Sequence, residues 1–179
     1  MHKFNRTKRE LAFKGRIVDF YSDTIEIDNN RQVVFDFIDH KGAAALIPVD
    51  KDGHILMVRQ YRNAIDSYTL EIPAGGLNPG EDFLTCAIRE CEEEIGYKPN
   101  NVQHLIDLHT TVAFSNEMIK VYYSTDLTKS NQNLDEDEYV NIERHSLHNL
   151  ILMIYEGKIT DSKTISALLA YNTKTDFIN

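Results

Sequence analysis

The chain has 179 residues, of which 28 are acidic and 19 are basic, so its formal net charge is −9 with neutral histidines. This length suits one compact domain with a small appendage, and such a domain needs no disulfide to fold. The negative charge argues against binding to a nucleic-acid backbone and against docking on an anionic membrane. A phosphate-bearing substrate would therefore need a cation in its binding site.

The two cysteines, Cys86 and Cys91, lie five residues apart in a segment with helical periodicity. On a helix this spacing points the two side chains to different sides, so we expect reduced thiols and no disulfide. The first residues contain no apolar signal segment, and no run approaches the roughly 18 apolar residues that cross a bilayer. The sequence therefore predicts a cytoplasmic protein.

The first 40 residues are predicted to form a β-hairpin subdomain. The first twelve are basic and polar, and we expect them to be loosely held. Apolar and polar residues roughly alternate over residues 16–27 and again over residues 33–40, with a turn between them, so residues 14–40 are predicted to form the hairpin. A two-stranded hairpin is marginally stable alone, so it must pack on the main domain or on a second copy of the chain.

Residues 41–179 are predicted to form the main domain, a mixed β-sheet with helices packed on it, in the α+β to α/β range. Apolar runs predict strands at residues 43–49, 54–60, 68–72, 102–108 and 118–124. Apolar residues recur at helical spacing over residues 82–95, and Gly96 follows at the position of a helix C-cap. Two further helices are predicted, at residues 147–155 and 160–171, after an acidic loop at residues 128–138.

Three glutamates of the 82–95 helix, Glu90, Glu93 and Glu94, lie at positions i, i+3 and i+4, so their carboxylates gather on one side. Such a face can simply be solvated. A divalent cation would remove the repulsion, however, and carboxylate oxygens are ligands that Mg²⁺ prefers. Arg89 adjoins the cluster and can hold one glutamate in a fixed rotamer. The glycines at 75 and 76 let the backbone approach a ligand, so the carbonyl of Ala74 can supply a further oxygen.

The segment from 75 to 97 reads Gly75-x5-Glu81-x7-Arg89-Glu90-Cys91-x-Glu93-Glu94-x-Gly96-Tyr97. This pattern resembles the box of the Nudix hydrolase family at every defined position. The resemblance implies a Nudix fold and the hydrolysis of a nucleoside diphosphate linked to another group, with Mg²⁺ as cofactor and Mn²⁺ as a possible substitute. It also implies that Glu90 and Glu94 bind the metal, and that Glu93 and Arg89 serve the catalytic site.

Four segments outside the box, at residues 58–62, 70–75, 114–117 and 161–164, resemble the ADP-ribose and nucleoside-diphosphate-sugar pyrophosphatase branch. This resemblance covers nearly the whole chain and implies a homodimer formed through the N-terminal hairpin. It also implies substrate binding by Arg62, Glu71 and Glu117. Arg62 would pair with phosphate, and Glu71 would hold the terminal ribose or a partner arginine. For Arg62 and Glu71 an ordinary surface salt bridge is the other interpretation.

The acidic loop at residues 134–138 lies where this branch has a mobile catalytic loop. The resemblance implies that Glu136 orients or deprotonates the attacking water and that Glu138 completes the metal shell. A glutamate on a mobile loop can act as a base once closure brings it to the nucleophile. A solvated acidic loop is the alternative.

One departure from the branch bears on the substrate. Residues 111–114, Thr-Val-Ala-Phe, lack the proline and glycine of the usual Ser-Pro-Gly-like turn, so the terminal-sugar pocket is expected to differ. ADP-glucose, GDP-mannose or a broad range of nucleoside diphosphate sugars are alternatives to ADP-ribose. A housecleaning enzyme for nucleoside triphosphates and a non-catalytic ligand sensor are more distant ones. With no tryptophan, base stacking would fall to residues such as Phe20 or Tyr21.

Overall fold

The computed structural model describes residues 1–28, 31–134 and 139–178. The chain divides into two compact units. The first contains Met1–Gly42 and His109–Met118, and the second contains Ala43–Leu108 and Ile119–Asn179. The first unit therefore includes a ten-residue segment from the middle of the chain.

A three-stranded antiparallel sheet forms the first unit. Its strands are β1 (Phe4–Lys14), β2 (Asp19–Ile27) and β3 (Arg31–Asp39), in the order β1-β2-β3. The hairpin of β2 and β3 was predicted, but the prediction of a loosely held start is wrong, because β1 pairs with β2 along its length. The guanidinium of Arg9 donates to both oxygens of buried Asp23, at 2.7 and 2.6 Å, and lies 3.8 Å from the ring centroid of Phe37. These contacts help to hold β1 in the sheet, although the apolar pattern of its sequence does not predict a strand.

In the described part of the chain, nine strands follow in three sheets. In chain order they are β4 (Ala43–Pro48), β5 (His54–Arg62), β6 (Ser67–Glu71), β7 (Ala74–Gly76), β8 (Tyr97–Asn100), β9 (Gln103–His109), β10 (Met118–Ser124), β11 (Asp126–Lys129) and β12 (Val140–Ser146). The sheets have the orders β7-β4-β10-β9, β12-β5-β6 and β11-β8. Strands β4 and β10 are parallel, and a 3₁₀ helix, Asn63–Ile65, joins β5 to β6.

Three helices, α1 (Phe83–Ile95), α2 (Leu147–Tyr155) and α3 (Ser162–Ile178), pack on these strands. Alternate residues of β4 face opposite ways: Ala44 and Leu46 pack with the buried face of α1, whereas Ala45 and Ile47 pack with α2 and α3. This confirms the predicted mixed sheet between helices. No helix of the described residues is long and apolar enough to cross a membrane.

Both ends of α1 are capped by local sequence. The carboxylate of Asp82 accepts hydrogen bonds from the backbone amides of Leu84 and Thr85, at 2.9 and 3.0 Å, as an N-cap residue does. Gly96 ends the helix with a φ of 67°, a left-handed conformation that favours glycine. The predicted helix is therefore confirmed. Its two cysteines are free and buried, as expected, and burial raises the pKa of Cys86 to about 12.

The last turn of α1 is also bound by the polar segment that follows β11. The amide of Ser130 donates to the carbonyl of Gly96 at 2.8 Å, and the amide of Asn133 donates to that of Glu93 at 2.9 Å. The side-chain amide of Gln132 donates to the carbonyl of Glu94 at 2.7 Å. Carbonyls at a helix C-terminus lack partners within the helix, so this segment satisfies them and fixes its own position.

Candidate active site

Arg89 lies at the centre of the acidic face of α1. Its Nε and Nη2 donate to the two carboxylate oxygens of Glu81 at 2.8 and 2.9 Å. Its Nη1 donates to Glu90 at 2.7 Å and to Glu93 at 2.8 Å, and Nη2 also reaches the carbonyl of Gly76 at 3.1 Å. One guanidinium thus binds three carboxylates and the glycine loop.

These contacts keep Glu81 and Arg89 charged at neutral pH. The hydrogen bonds from Arg89 hold the pKa of Glu81 at about 2, and the hydrogen bond to Glu81 contributes most to raising the pKa of Arg89. Arg89 therefore remains a cation that partly neutralises the acidic face, and it offsets the repulsion between Glu90 and Glu93.

Two glutamates of α1 lie directly against the glycine loop. A Cβ atom added to Gly75 would lie 2.1 Å from the carboxyl carbon of Glu90, so only glycine admits that side chain in its present position. The carboxylate of Glu94 is buried and accepts a hydrogen bond from the amide of Ala74 at 3.1 Å. The structure thus places Glu90 and Glu94 of α1 beside Gly75 and Ala74 of the glycine loop.

A cavity of about 340 Å³ opens beside this cluster. Its walls are the backbone of Gly75 and Gly76, three charged side chains of α1, and two asparagines, Asn78 and Asn133. The α1 side chains are Arg89, Glu90 and Glu93. The cavity is polar and negatively charged, so it suits a cation or a ligand that a cation accompanies.

The donor chemistry of this cavity fits a hard divalent cation, because carboxylate and carbonyl oxygens are the ligands of such ions. Glycine at position 75 allows the carboxylate of Glu90 to reach the loop backbone, which is the approach that a shared ligand needs. Within residues 1–28, 31–134 and 139–178, no three acidic, histidine or cysteine side chains already form a ligand shell. The guanidinium of Arg89 lies between Glu90 and Glu93 instead.

A second charged cluster surrounds Glu71, whose side chain is 2% exposed. The Nε and Nη2 atoms of Arg62 donate to its two oxygens at 2.8 and 2.7 Å, Lys163 contacts one of them, and Thr69 donates at 2.5 Å. Burial raises the pKa of Glu71, but the hydrogen bonds from Arg62 and the charges of Lys163 and Arg62 outweigh it and lower that pKa to about 2. Glu71 therefore forms a buried ion pair with Arg62, which fits both a partner arginine and an ordinary salt bridge.

The remaining predicted residues do not belong to these clusters. Glu117 lies in the first unit, where it accepts a hydrogen bond from Thr110 at 2.5 Å and lies 3.6 Å from His40. Glu136 and Glu138 lie outside the described residues. The segment 111–114 is also in the first unit, and the amide of Ile38 donates to the carbonyl of Phe114 at 2.7 Å.

Phe20 and Tyr21, the candidates for base stacking, lie on β2, where Tyr21 and Phe37 have ring centroids 6.1 Å apart.

Sequence reasoning missed four residues near the two clusters. Asn78 has a local signal, since it precedes Glu81 by three residues and its amide donates to that carboxylate at 2.9 Å. Asn133 has none, because it reaches the cavity through a backbone contact across forty residues of chain. Lys163 and Asp161 belong to a segment noted only for its resemblance. The docking of α3 brings Lys163 to Glu71, and Asp161 contacts Lys163.

The glycine loop, the acidic face of α1 and the polar cavity together define a candidate cation-binding site. The model of the NUDIX domain matches residues 39–168, and the chain therefore belongs to the Nudix hydrolase family. An ADP-ribose pyrophosphatase of Bacillus subtilis is 31% identical over 162 residues, which cover 89% of this chain and 88% of that protein. A methanol dehydrogenase activator of Bacillus methanolicus is 37% identical over 163 residues, covering 90% of this chain and 88% of the relative.

The fold is also found in a solved structure. A crystal structure of an ADP compounds hydrolase has a TM-score of 0.87 with this chain, at 21% identity, and the match covers 99% of this chain and 96% of the other. This likeness confirms the predicted Nudix fold. Together with the relatives, it confirms the predicted branch, that of the ADP-ribose pyrophosphatases.

Proposed function

We propose that the protein hydrolyses the pyrophosphate bond of ADP-ribose or of a related nucleoside diphosphate sugar. The observation that carries this proposal is the position of Glu90 and Glu94 against the glycine loop, beside a polar cavity, in a member of the Nudix family. The similarity to a protein named ADP-ribose pyrophosphatase, over most of both chains, supports the substrate class.

Mg²⁺ is the proposed cofactor, with Mn²⁺ as a substitute. Glu90, Glu94 and the carbonyl of Ala74 would hold it, and Glu138 would complete the set. A divalent ion bound there polarises the diphosphate and lowers the pKa of the attacking water. The acidic cavity needs this charge, because a diphosphate brought to three glutamates without it would be repelled.

The chain's own residues would orient the reactants. Arg89 keeps Glu90 and Glu93 in fixed positions through its two hydrogen bonds to them. Glu93, a third exposed at its side chain, would accept or steer the proton of the water, and Glu136 of the acidic loop is the alternative base. Arg62 would pair with a substrate phosphate, and Glu117 would contact the substrate.

The proposed reaction adds one water across one phosphoanhydride. The water oxygen bonds to one phosphorus, the bond between the bridging oxygen and that phosphorus breaks, and the bridging oxygen leaves with the other phosphate. ADP-ribose and water would thus give AMP and ribose 5-phosphate. Positioning and charge neutralisation dominate such a reaction.

The test is a Mg²⁺-dependent assay of ADP-ribose, ADP-glucose, GDP-mannose, diadenosine polyphosphates and deoxynucleoside triphosphates. We expect turnover of at least one nucleoside diphosphate sugar, and loss of turnover in EDTA. Preference for the triphosphates would indicate a housecleaning enzyme instead. Absence of turnover with every compound, at micromolar enzyme, would reject the hydrolase proposal in favour of a ligand sensor. The two hexose compounds are included because residues 111–114 depart from the branch.

We also propose that the first unit forms a homodimer. Its outer strands β1 and β3 expose large apolar side chains, among them Phe13 at 68% and Val34 at 67%. The resemblance to the ADP-ribose pyrophosphatase branch implies that a second copy of the chain covers these side chains. Deletion of residues 1–40 should give a monomer with poor activity, as sedimentation velocity would show. Phe13→Asp, which changes an already exposed side chain, should weaken the dimer without unfolding it, and an active monomer would reject a shared site.

The proposed location is the cytoplasm. Cys86 and Cys91 are both free and buried, and unpaired thiols suit a reducing compartment. Fractionation of the native cells would test this location, and we expect the protein in the cytoplasmic fraction.

A further inference from the structure

One buried carboxylate is shared by two cations at the junction of β6 and α3. Both oxygens of Glu71 are bound by Arg62, and the oxygen nearer to Nη2 of Arg62 is also bound by the ammonium of Lys163. Lys163 is 9% exposed, whereas the side chain of Arg62 is 42% exposed. Of the two cations, Arg62 is therefore the one that can meet a ligand.

Lys163 is also held by residues at the start of α3. Its Nζ also lies 3.0 Å from Asp161, and the same carboxylate oxygen accepts the amide of Thr164 at 2.9 Å. The hydroxyl of Thr164 accepts the amide of Ile72, the residue after Glu71, at 3.1 Å. The ammonium thus has a position fixed by secondary structure, and it is not a flexible surface charge.

The formal charges of this cluster sum to zero. Glu71 and Asp161 are two anions, and Arg62 and Lys163 are two cations. Without Lys163, Glu71 would depend on Arg62 alone, and the cluster would carry a net negative charge. Arg62 also interacts electrostatically with Glu94 on α1. A cluster without the charge of Lys163 would therefore add to the negative potential at the acidic face. An anionic substrate would then be bound less well.

We propose that Lys163 is a positioning residue for substrate binding. By neutralising Glu71 from the buried side, it fixes the guanidinium of Arg62 and keeps the positive charge of that guanidinium available for a substrate phosphate. This inference rests on the proposed function and extends it to a residue that does not touch the substrate. Its effect is expected on the affinity for the nucleoside diphosphate, and not on the chemical step, which the residues of α1 serve.

The first test compares three variants, Lys163→Met, Lys163→Gln and Lys163→Arg. For the preferred substrate, Lys163→Met and Lys163→Gln should raise KM by about 10-fold, the change expected on weakening one charge-assisted hydrogen bond, while kcat stays within about 3-fold. Lys163→Arg keeps the charge and should restore much of the affinity. The matched control is Lys158→Met, which removes an exposed lysine paired with Glu156 and should change neither constant.

The second test asks whether Lys163 acts through Arg62. In a double-mutant cycle, Lys163→Met should add little to the KM of Arg62→Ala, because the group that it positions is already gone. Titration calorimetry of a non-hydrolysable methylene analogue of the preferred substrate, with protein in Mg²⁺, should give the same loss of affinity without turnover. Circular dichroism establishes whether each variant is folded. If Lys163→Met is unfolded, Lys163→Gln takes its place in the cycle.

The outcomes separate the two proposals. If the wild-type protein turns over no compound, the proposed function fails. If it is active but folded Lys163→Met or Lys163→Gln keeps its KM and its Kd, or if the effects of Lys163 and Arg62 simply add, then the positioning role of Lys163 is rejected and the function stands.

Discussion

Arg89 shows how a single side chain can make an acidic helix face compatible with folding. Its guanidinium binds Glu81, Glu90 and Glu93 within 2.9 Å, so three carboxylates share one cation before any ligand arrives. The planar fork of arginine allows this, whereas a lysine would offer a point charge without the geometry. Arg89 therefore serves both the stability of α1 and the order of the candidate site.

The first prediction concerns a proposed metal ligand. Glu94→Gln should lower kcat by about 100-fold or more, because loss of a catalytic metal ligand removes stabilisation of the transition state, while the folded amount stays the same. Steady-state kinetics with Mg²⁺ and circular dichroism are the measurements. Glu92→Gln is the matched control, because the carboxylate of Glu92 accepts a hydrogen bond from the hydroxyl of Ser130 at 2.5 Å, whereas that of Glu94 accepts one from the glycine-loop amide of Ala74. Near-normal kcat in Glu94→Gln would mean that the metal face lies elsewhere.

The second prediction uses the two adjacent glycines of the loop. Gly75→Ala should displace the carboxylate of Glu90, since the added methyl group would lie 2.1 Å from it, and kcat should fall by about 10-fold or more. Gly76→Ala meets no atom within 4 Å and should have a much smaller effect. Both variants are assayed at saturating Mg²⁺ and substrate. Equal losses in the two variants would indicate a general effect on the loop backbone.

At the scale of elements, α1 presents the acidic face and its N-cap fixes where the helix begins. Asp82→Ala removes the acceptor for two amides, and the free energy of unfolding should fall by about 1 kcal/mol, the usual value for an N-cap. Urea denaturation followed by circular dichroism gives this quantity. Activity at 25 °C should remain, because the cap lies at the helix end away from Glu93 and Glu94. An unchanged midpoint would mean that water replaces the cap without loss.

Periodicity predicted those elements that bury a continuous apolar face. Helix α1 and strands β4, β5 and β10 are such elements, and each was found within about two residues of its predicted bounds. Strand β1 was missed because its side chains are basic and exposed, and it is held by the contacts of Arg9. Strands β7, β8, β11 and β12 were missed because they are short or polar and are defined by pairing with distant partners.

The residues of the candidate site also fall into those that the local sequence predicts and those that it does not. The positions of Glu90 and Glu94 follow from helical spacing within one segment, so local sequence was sufficient for them. The contact of Lys163 with Glu71 joins residues 92 positions apart, and that of Asn133 with α1 joins residues 40 apart. Such contacts depend on the tertiary fold, and no spacing in the sequence encodes them.

At the scale of the whole molecule, the buried Glu71 makes the free energy of unfolding depend on pH in the acidic range. Its pKa of about 2 in the folded protein lies below the ordinary 4.5, so its ionised form is stabilised by folding. The contribution is fully present above pH 4.5 and is lost as the pH falls towards 2, because the unfolded chain takes up the proton first. A shift of this size corresponds to about 3 kcal/mol.

The measurement is the free energy of unfolding in urea at several pH values between 2 and 7. Between pH 4.5 and 2, the wild-type protein should lose stability more steeply than Glu71→Gln, which has no carboxylate to protonate. The two slopes should agree above pH 5. Parallel curves over the whole range would show that other acids dominate the loss and that Glu71 is not linked to it.

The parallel pairing of β4 with β10 has a consequence for the order in which the site is made. During synthesis the ribosome delivers β4 and α1 well before β10, which pairs with β4 some 76 residues later in the chain, Ile119 against Ala43. Contacts between distant segments form slowly, since the intervening chain must first be ordered. The box is thus translated before the strands that complete the sheet of β4, and a nascent chain that ends after α1 carries the acidic residues without the scaffold that gives them a site.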